Sequence, residues 1–200
     1  MMKVKEIIML ASALAGMEDV EKALIEFNNA TDKGEEYIFE ESISEKINKA
    51  IKCINLTTSR IATEYLSLKK EVIQVSDLEG KIPYTNFDES LIEVLAVIDA
   101  GSGCALEFAP LPFHIYIPCR NRRVKVVCRY LPREVNSLED EVSFPEFVTK
   151  RVVALGVVSD LLLSANVYDE SKFWNEKFEE AIEKSLSKRK VGGLPPRKFM

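Results

Sequence analysis

The 200-residue sequence has one histidine, one tryptophan and four cysteines, and it has no long apolar run. Its longest strongly apolar stretch, residues 152–167, is interrupted by Asp160 and is shorter than the roughly 20 residues that a membrane-spanning helix needs. With 8 glycines and 8 prolines the chain is neither collagen-like nor low in complexity. The sequence therefore predicts no membrane span. The 46% hydrophobic residues suffice for one globular core, or for a core with a small subdomain.

The scarcity of histidine and paired cysteine argues against a catalytic or metal centre. Cys53, Cys104, Cys119 and Cys128 form no CxxC pair, which predicts buried thiols in a reduced, intracellular setting. A nucleophilic triad would have to use His114, and no GxSxG or reactive-cysteine motif accompanies it. Convergence of three cysteines on His114 to hold zinc is the weaker interpretation, because the paired spacing is missing. We predict no enzyme activity and no cofactor, and a structural or surface role for His114.

Apolar spacing predicts helices at both ends of the chain. The first segment, 4–28, is predicted as two helices broken at Gly16, followed by a loop at 28–34. Glu6 and the helical spacing favour this interpretation over a signal peptide. The strongest helix is predicted over 43–65, with Ser42 and Glu45 as its capping box.

After residue 142 the helical period returns. Ser143 is predicted to cap a helix with Pro145 in its first turn, and its stretch 152–163 is apolar nearly all round, so it should be the most buried helix. Gly156 in its middle is costly in a helix, and the cost indicates close helix packing. The last helix is predicted to open at Asp169 and to bury Trp174 between the helices at 43–65 and 148–163.

Between the two helical regions the apolar period changes from helical to two. The glycine-rich loop at 101–103 lacks the Lys-Ser/Thr of a phosphate-binding loop and is predicted as a hairpin turn. One buried and one wet face per strand indicates an antiparallel sheet. Six strands are predicted, at 71–75, 81–85, 91–98, 105–108, 113–117 and 124–131.

The predicted fold class is α+β, mainly a helical bundle built from the N- and C-terminal helices. Residues 1–68 and 143–186 should form the bundle. Residues 69–142 should form an inserted antiparallel β subdomain, and residues 187–200 an extended basic C-terminal tail. The charge supports this division: the tail carries five basic and no acidic residues, whereas residues 1–186 carry 22 basic and 32 acidic residues. A dedicated nucleic-acid domain would instead show a broad basic face.

Two oppositely charged segments follow each other in the chain. The basic run, residues 119–133, has six cations and no acid, and the acidic block, residues 134–146, has five acids and no base. Complementary pairing, within the chain or between copies, is the favoured interpretation, and a nucleic-acid groove is the alternative. The candidate intersubunit charge contacts are Arg120, Arg122, Arg123, Lys125, Glu139, Asp140 and Glu141.

Four segments, in this order, resemble the head–tail adaptor (connector) proteins of tailed bacteriophages, especially those of prophages in Gram-positive bacteria. The resemblance is one of pattern and order over nearly the whole chain. The segments are residues 3–16; residues 51–56 leading into 60–69; the strand at 124–130 with Leu131-Pro132, an acidic loop and Phe144-Pro145-Glu146-Phe147; and Tyr168-Asp169 before Trp174 and Phe178.

The resemblance implies a structural virion protein at the head–tail interface, assembled in the host cytoplasm and without catalytic residues. It implies a ring of about twelve copies between a portal protein and a tail-side connector or tail protein, through which DNA passes without specific binding. In such adaptors the extended C-terminus docks on the portal. The corresponding residues here are Lys188, Arg189, Lys190, Pro195, Pro196, Arg197, Lys198 and Phe199.

The rival hypothesis is a nucleic-acid-binding or regulatory helical protein that uses residues 120–133 and the basic tail. An enzyme ranks third, because no set of residues in the sequence supports one.

Overall fold

The computed structural model describes residues 2–187, and these form an α+β fold of two compact units. The described residues before 59 and after 133 form a helical unit, and residues 59–133 form a β unit. The predicted β subdomain began at residue 69 and ended at 142, so both of its boundaries fall later in the chain than those of the β unit. The predicted tail, 187–200, lies outside the described residues except for Ser187. Within residues 2–187 no helix is both long and apolar enough to cross a bilayer.

The helical unit contains the helices predicted at the two ends of the chain. They are α1 (Val4–Ala15), α2 (Glu18–Lys33), α3 (Glu41–Arg60), α4 (Lys150–Ser164) and α5 (Tyr168–Ser187). The strands, in chain order, are β1 (Met2–Lys3), β2 (Lys69–Val75), β3 (Lys81–Pro83), β4 (Leu91–Asp99), β5 (Ala105–Leu106), β6 (Ala109–Pro110), β7 (His114–Tyr116), β8 (Arg123–Tyr130) and β9 (Glu141–Val142).

The predicted break at Gly16 is confirmed, but the predicted loop at 28–34 is wrong. Gly16 has a φ of 68° and ends α1 in the left-handed region that glycine favours. Residues 28–33 continue α2, which ends at Lys33. The next residue, Gly34, has a φ of 73°. The polar residues in this last turn cost only tenths of a kcal/mol each as helix formers. The left-handed glycine therefore sets the end of the helix.

The long helix α3 begins at Glu41, two residues before the predicted 43, and does not use the Ser42 capping box. The Glu40 carbonyl accepts hydrogen bonds from Ile43 N at 3.0 Å and Ser44 N at 2.9 Å, so Ser42 already lies inside the helix. At its other end α3 passes into a π-helical turn at Ile61–Tyr65. The predicted apolar stripe is buried at Ile47, Ile51, Ile54, Thr58 and Ile61.

The predicted start of α4 at Ser143 is wrong, since α4 begins at Lys150 after Thr149. Val142 of β9 pairs with Met2 of β1, which holds the preceding segment extended. Pro145 also disfavours helical geometry at the residue before it. Residues 145–148 form a turn instead, in which Val148 N donates to the Pro145 carbonyl at 2.9 Å.

Helix α4 is the most buried helix, as predicted, and Gly156 is its point of closest packing. Residues 152–159 are all buried. A β-carbon added to Gly156 would lie 2.5 Å from Thr57 Cγ2 and 3.1 Å from Phe178 Cδ2. The absence of a side chain therefore lets α3 and α5 approach α4.

The predicted burial of Trp174 is wrong. In α5 the fully buried side chains are Phe178 and Ile182, whereas Trp174 is half-buried. It lies on the side of α5 that, with α4, forms an open groove, with its ring edge-to-face against Phe173 at 5.5 Å between centroids. The predicted spacing of the stripe is right, but Trp174 lies at the edge of the buried surface and not in its interior.

The β unit has antiparallel sheets, as predicted. One sheet has the strand order β2-β8-β4-β5 and the other β3-β7-β6. The predicted strand at 81–85 ends at Pro83, where a 3₁₀ turn over Tyr84–Asn86 follows. The short strand β6 was not predicted, because Pro110 in it lacks a backbone donor and indicated a turn. The core of this unit consists of Ile82, Phe87, Val97, Ile115, Ile117, Val124, Val126 and Cys128.

Candidate functional site

The basic run lies along β8 and the turn before it, and alternation along the strand separates its two faces. Val124, Val126 and Cys128 point into the β-unit core and are fully buried, while Lys125 and Arg129 lie on the opposite face. The one buried and one wet face that the sequence predicts for each strand are confirmed here. The cations are thus held on the outer face of the four-stranded sheet by the burial of the alternate residues.

Two cations on the outer face of β8, Lys125 and Arg129, have an acidic partner on a neighbouring strand. Lys125 Nζ lies 2.9 Å from Glu71 Oε2 of β2, and Arg129 Nη1 lies 3.4 Å from Glu93 Oε2 of β4. These pairs connect β8 to both of its neighbouring strands. The sequence interpretation had instead paired the cations with the acidic block. As partly exposed pairs, each contributes about 0–1 kcal/mol.

Arg122 pairs with Asp99 at the end of β4, where the hairpin turn predicted at 101–103 is confirmed. The Asp99 side chain is 3% exposed, and its Oδ1 accepts hydrogen bonds from Gly101 N at 2.7 Å and Ser102 N at 2.8 Å. The Ser102 amide first, and then the Arg122 guanidinium, lower the pKa of Asp99 to about 2. Arg122 therefore stabilises a turn within its own chain.

Two cations of the candidate intersubunit set, Arg120 and Arg123, differ from the others. Both are exposed, and neither forms an ion pair with any residue among 2–187. Asn121, between Arg120 and Arg122, has a φ of 43°, a left-handed turn conformation. Among the cations of the candidate set, these two guanidinium groups are available to an external partner.

The acidic residues of the candidate set are held in the helical unit. Glu139 pairs with Lys5 at 3.2 Å, and Asp140 Oδ2 accepts hydrogen bonds from Asn136 N at 2.7 Å and Ser137 N at 2.9 Å. Glu141 lies in β9 opposite Lys3 and is exposed. Glu139 and Asp140 thus have partners within the chain, and a contact of this set with a neighbouring copy stays a prediction.

The residues that the resemblance assigned to portal binding lie outside the described residues. They are Lys188, Arg189, Lys190, Pro195, Pro196, Arg197, Lys198 and Phe199. The last described residue is Ser187, in α5.

The side chains that could do chemistry are scattered. Among residues 2–187 no three His, Cys, Asp or Glu side chains are grouped closely enough to hold a metal ion. His114 lies opposite Pro83 in a three-residue strand, with Ile115 buried beside it and Phe113 83% exposed before the strand begins. Burial raises the pKa of Cys53 to about 11 and also raises that of Cys128, so both thiols stay protonated at neutral pH.

Among residues 2–187, each unit has a concave surface. A concavity of about 1000 Å³ in the β unit is lined by aromatic residues such as Tyr84 and Phe108 and by Asp88, Glu89 and Glu93. The second, the α4–α5 groove, measures about 520 Å³. Sequence analysis missed it, although the exposed Phe173 next to Trp174 at the edge of the apolar stripe was an available signal. Its lining residues are Arg151, Leu155, Phe173, Trp174, Lys177, Glu180, Ala181 and Lys184.

No protein-family model matches this chain, and no curated protein matches it.

Proposed function

We propose that this protein is a structural virion component, a head–tail adaptor that joins the portal to the tail of a bacteriophage or prophage as a ring of identical subunits. The observation that supports this most is the order of the chain. Helices α1–α3 precede a separate antiparallel β unit, and α4 and α5 return to the helical unit, which is the arrangement that the resemblance to adaptor proteins implies.

The charge distribution supports a docking role for the C-terminal segment. Residues 187–200 have five basic side chains, no acid and a single large apolar anchor, Phe199, whereas residues 1–186 have a large acidic excess. In the proposed mechanism Arg189, Arg197 and Lys198 pair with carboxylates on the portal and Phe199 fills a pocket. Because every copy in a ring contributes one such arm, the weak individual contacts add up to high avidity.

The exposed guanidinium groups of Arg120 and Arg123 are proposed to contact a neighbouring copy. Their partners would be carboxylates without an ion-pair partner among residues 2–187, of which Glu141 is one candidate. Lumen-facing acidic surfaces would let DNA pass without binding, since affinity for DNA comes largely from Lys and Arg at phosphates.

Truncation after Leu186 tests the docking role. Every core residue of the described part precedes Ser187, so circular dichroism and melting temperature should be nearly unchanged. The truncated protein should not co-purify with portal, and phage made with it should have heads without tails. A variant in which residues 187–200 are scrambled keeps the charge and separates sequence recognition from simple electrostatics. Infectious particles assembled from the truncated protein would contradict the adaptor proposal.

A nucleic-acid-binding function is the competing proposal, because Arg120 and Arg123 have no ion pair among residues 2–187. Titration with duplex DNA at two salt concentrations separates the two. An adaptor should show little or no binding at either concentration. Submicromolar binding that weakens steeply with salt, and that is lost in Arg120→Gln with Arg123→Gln, would favour the rival.

A further inference from the structure

An acidic loop, residues 35–40, connects α2 to α3 and presents one isoleucine to solvent. Tyr37 and Phe39 pack against Phe27, with ring centroids 6.3 and 5.2 Å away. The Tyr37 hydroxyl donates to Glu26 Oε2 at 2.8 Å, which fixes the loop on α2. Ile38, between the two packed rings, is 84% exposed.

The charges of the acidic loop stand beside this isoleucine. Glu36 and Glu40, two residues away on either side, are exposed, as Glu35 is. Exposure alternates along the loop, since Tyr37 and Phe39, which lie between the exposed Glu36, Ile38 and Glu40, pack against Phe27. The loop therefore offers an apolar side chain flanked by carboxylates on one surface.

The α4–α5 groove offers the opposite chemistry. Leu155, Trp174 and Ala181 supply apolar surface, and Phe173 is 52% exposed at its edge. Three cations lie around it, Arg151, Lys177 and Lys184, against the single carboxylate of Glu180. Lys177 Nζ also lies 5.7 Å from the centre of the Phe173 ring, which keeps positive charge directly over the aromatic surface.

We infer that the α4–α5 groove binds the acidic loop of a second copy of this chain, with Ile38 on Trp174 and Leu155 and with Glu36 and Glu40 facing Lys177 and Lys184. Both surfaces belong to the helical unit, and each leaves a large apolar side chain exposed, Ile38 in the loop and Phe173 in the groove. Since the two surfaces differ, the contact is heterologous, so every copy donates one loop and receives one. The contact would join neighbouring copies in the proposed ring, so the inference rests on the proposed function. Its test, however, uses the protein alone.

Sedimentation velocity of the full-length protein over a range of concentrations gives the first test. The wild type should associate, and Ile38→Asp should weaken association at least tenfold, because the apolar anchor is lost and the charge cannot enter the groove. Leu78→Asp is the matched control: Leu78 is 75% exposed in a turn of the β unit and should leave association unchanged. The inference is overturned if the wild type stays monomeric at all concentrations, or if the two variants behave alike.

Complementation gives the sharper test. A groove variant, Lys177→Glu with Lys184→Glu, and the loop variant Ile38→Asp should each be monomeric. An equimolar mixture should form dimers and nothing larger, because the intact loop of the groove variant meets the intact groove of the loop variant. Circular dichroism checks that both variants are folded. A mixture that remains monomeric, with both variants folded, would overturn the contact.

A charge exchange tests the pairing itself. Glu36→Lys with Glu40→Lys should not bind wild-type grooves but should bind the groove variant, at an affinity within tenfold of the wild-type contact. If these assays succeed and the wild type still does not bind portal, the contact stands and the adaptor proposal falls. If portal binding is intact and the mixtures show no dimer, only the contact is refuted.

Discussion

Gly156 of α4 and Thr57 of α3 face each other so closely that a β-carbon on the glycine would come within 2.5 Å of Thr57 Cγ2. The Thr57 hydroxyl donates a hydrogen bond to Asp160 Oδ2 at 2.9 Å, one helical turn further along α4. Thr57 is fully buried, and its β-branched side chain has little rotameric freedom in a helix. Helices α3 and α4 are therefore so close at this point that a residue with a β-carbon does not fit at position 156 without a shift.

Gly156→Ala should destabilise the helical unit although alanine is the better helix former. Helix propensity favours the substitution by about 1 kcal/mol, but overpacking of a close-packed core costs about 1–3 kcal/mol. The free energy of unfolding in urea should fall by about 1 kcal/mol, and by more in Gly156→Val. Thr57→Ser removes Cγ2 and keeps the hydroxyl, so the double variant should recover most of the loss. Equal losses with and without Thr57→Ser would show that another contact is responsible.

Asn55 connects α3 to the segment that follows the β unit. Its Nδ2 donates to the Val135 carbonyl at 2.9 Å, and its Oδ1 accepts from Val135 N at 2.9 Å. Asn55→Ala leaves both backbone groups without this partner, which should lower the free energy of unfolding by about 1–3 kcal/mol. Asn29→Ala, at an exposed position of α2, is the control and should change it by less than about 0.5 kcal/mol. Amide exchange at Val135 should accelerate in the first variant only.

The sequence predicted those features of the fold that depend on residues close together in the chain. The break at Gly16 follows from a single glycine in a strongly periodic segment, and the close packing at Gly156 from a single glycine in a helix that is apolar nearly all round. The alternation of Val124, Val126 and Cys128 likewise needed only the strand itself. These are local consequences of sequence, and the structure agrees with them.

The features that were mispredicted depend on distant residues. The start of α4 is set partly by the pairing of Val142 with Met2, which no local capping signature can reveal. Lys125 reaches Glu71 diagonally because the register of β2 and β8 places Lys125 opposite Ile73, two residues from Glu71, so its partner could not be inferred from neighbouring charges. Periodicity placed Trp174 and Phe178 on one face of α5, but the width of the buried contact depends on where α3 and α4 lie.

The half-buried position of Trp174 should make its substitution less destabilising than that of Phe178. Phe178 is fully buried against Gly156, so Phe178→Ala should cost about 3–5 kcal/mol. Trp174→Ala, at a half-buried groove position, should cost about 1 kcal/mol. Thermal denaturation of both variants, followed by far-UV circular dichroism, measures the difference. A larger loss for Trp174→Ala would place the tryptophan in the core after all.

The Asp99 carboxylate should make the stability of the β unit depend on pH at acidic values. Its pKa in the folded protein is about 2, below the roughly 3.9 of an unfolded aspartate. The carboxylate therefore stabilises the folded state fully above about pH 4, and this contribution is lost as the pH falls towards 2. Asp99→Asn should be less stable than the wild type at pH 7 and should lack this part of the acid dependence. Urea unfolding of both proteins between pH 2 and 7 measures it.

Arg122→Ala separates the two groups that hold this carboxylate. The hydrogen bond from the Ser102 amide is the largest single cause of the low pKa, the hydrogen bond from Arg122 comes next, and the Gly101 amide also lowers the pKa. The variant should therefore raise the pKa of Asp99 only part of the way to its unfolded value. Carbon-13 NMR of the Asp99 carboxyl gives this pKa directly, and the Ser102 amide proton should titrate with it. A pKa that returns fully to the unfolded value in Arg122→Ala would mean that the ion pair, and not the turn amides, holds the carboxylate ionised.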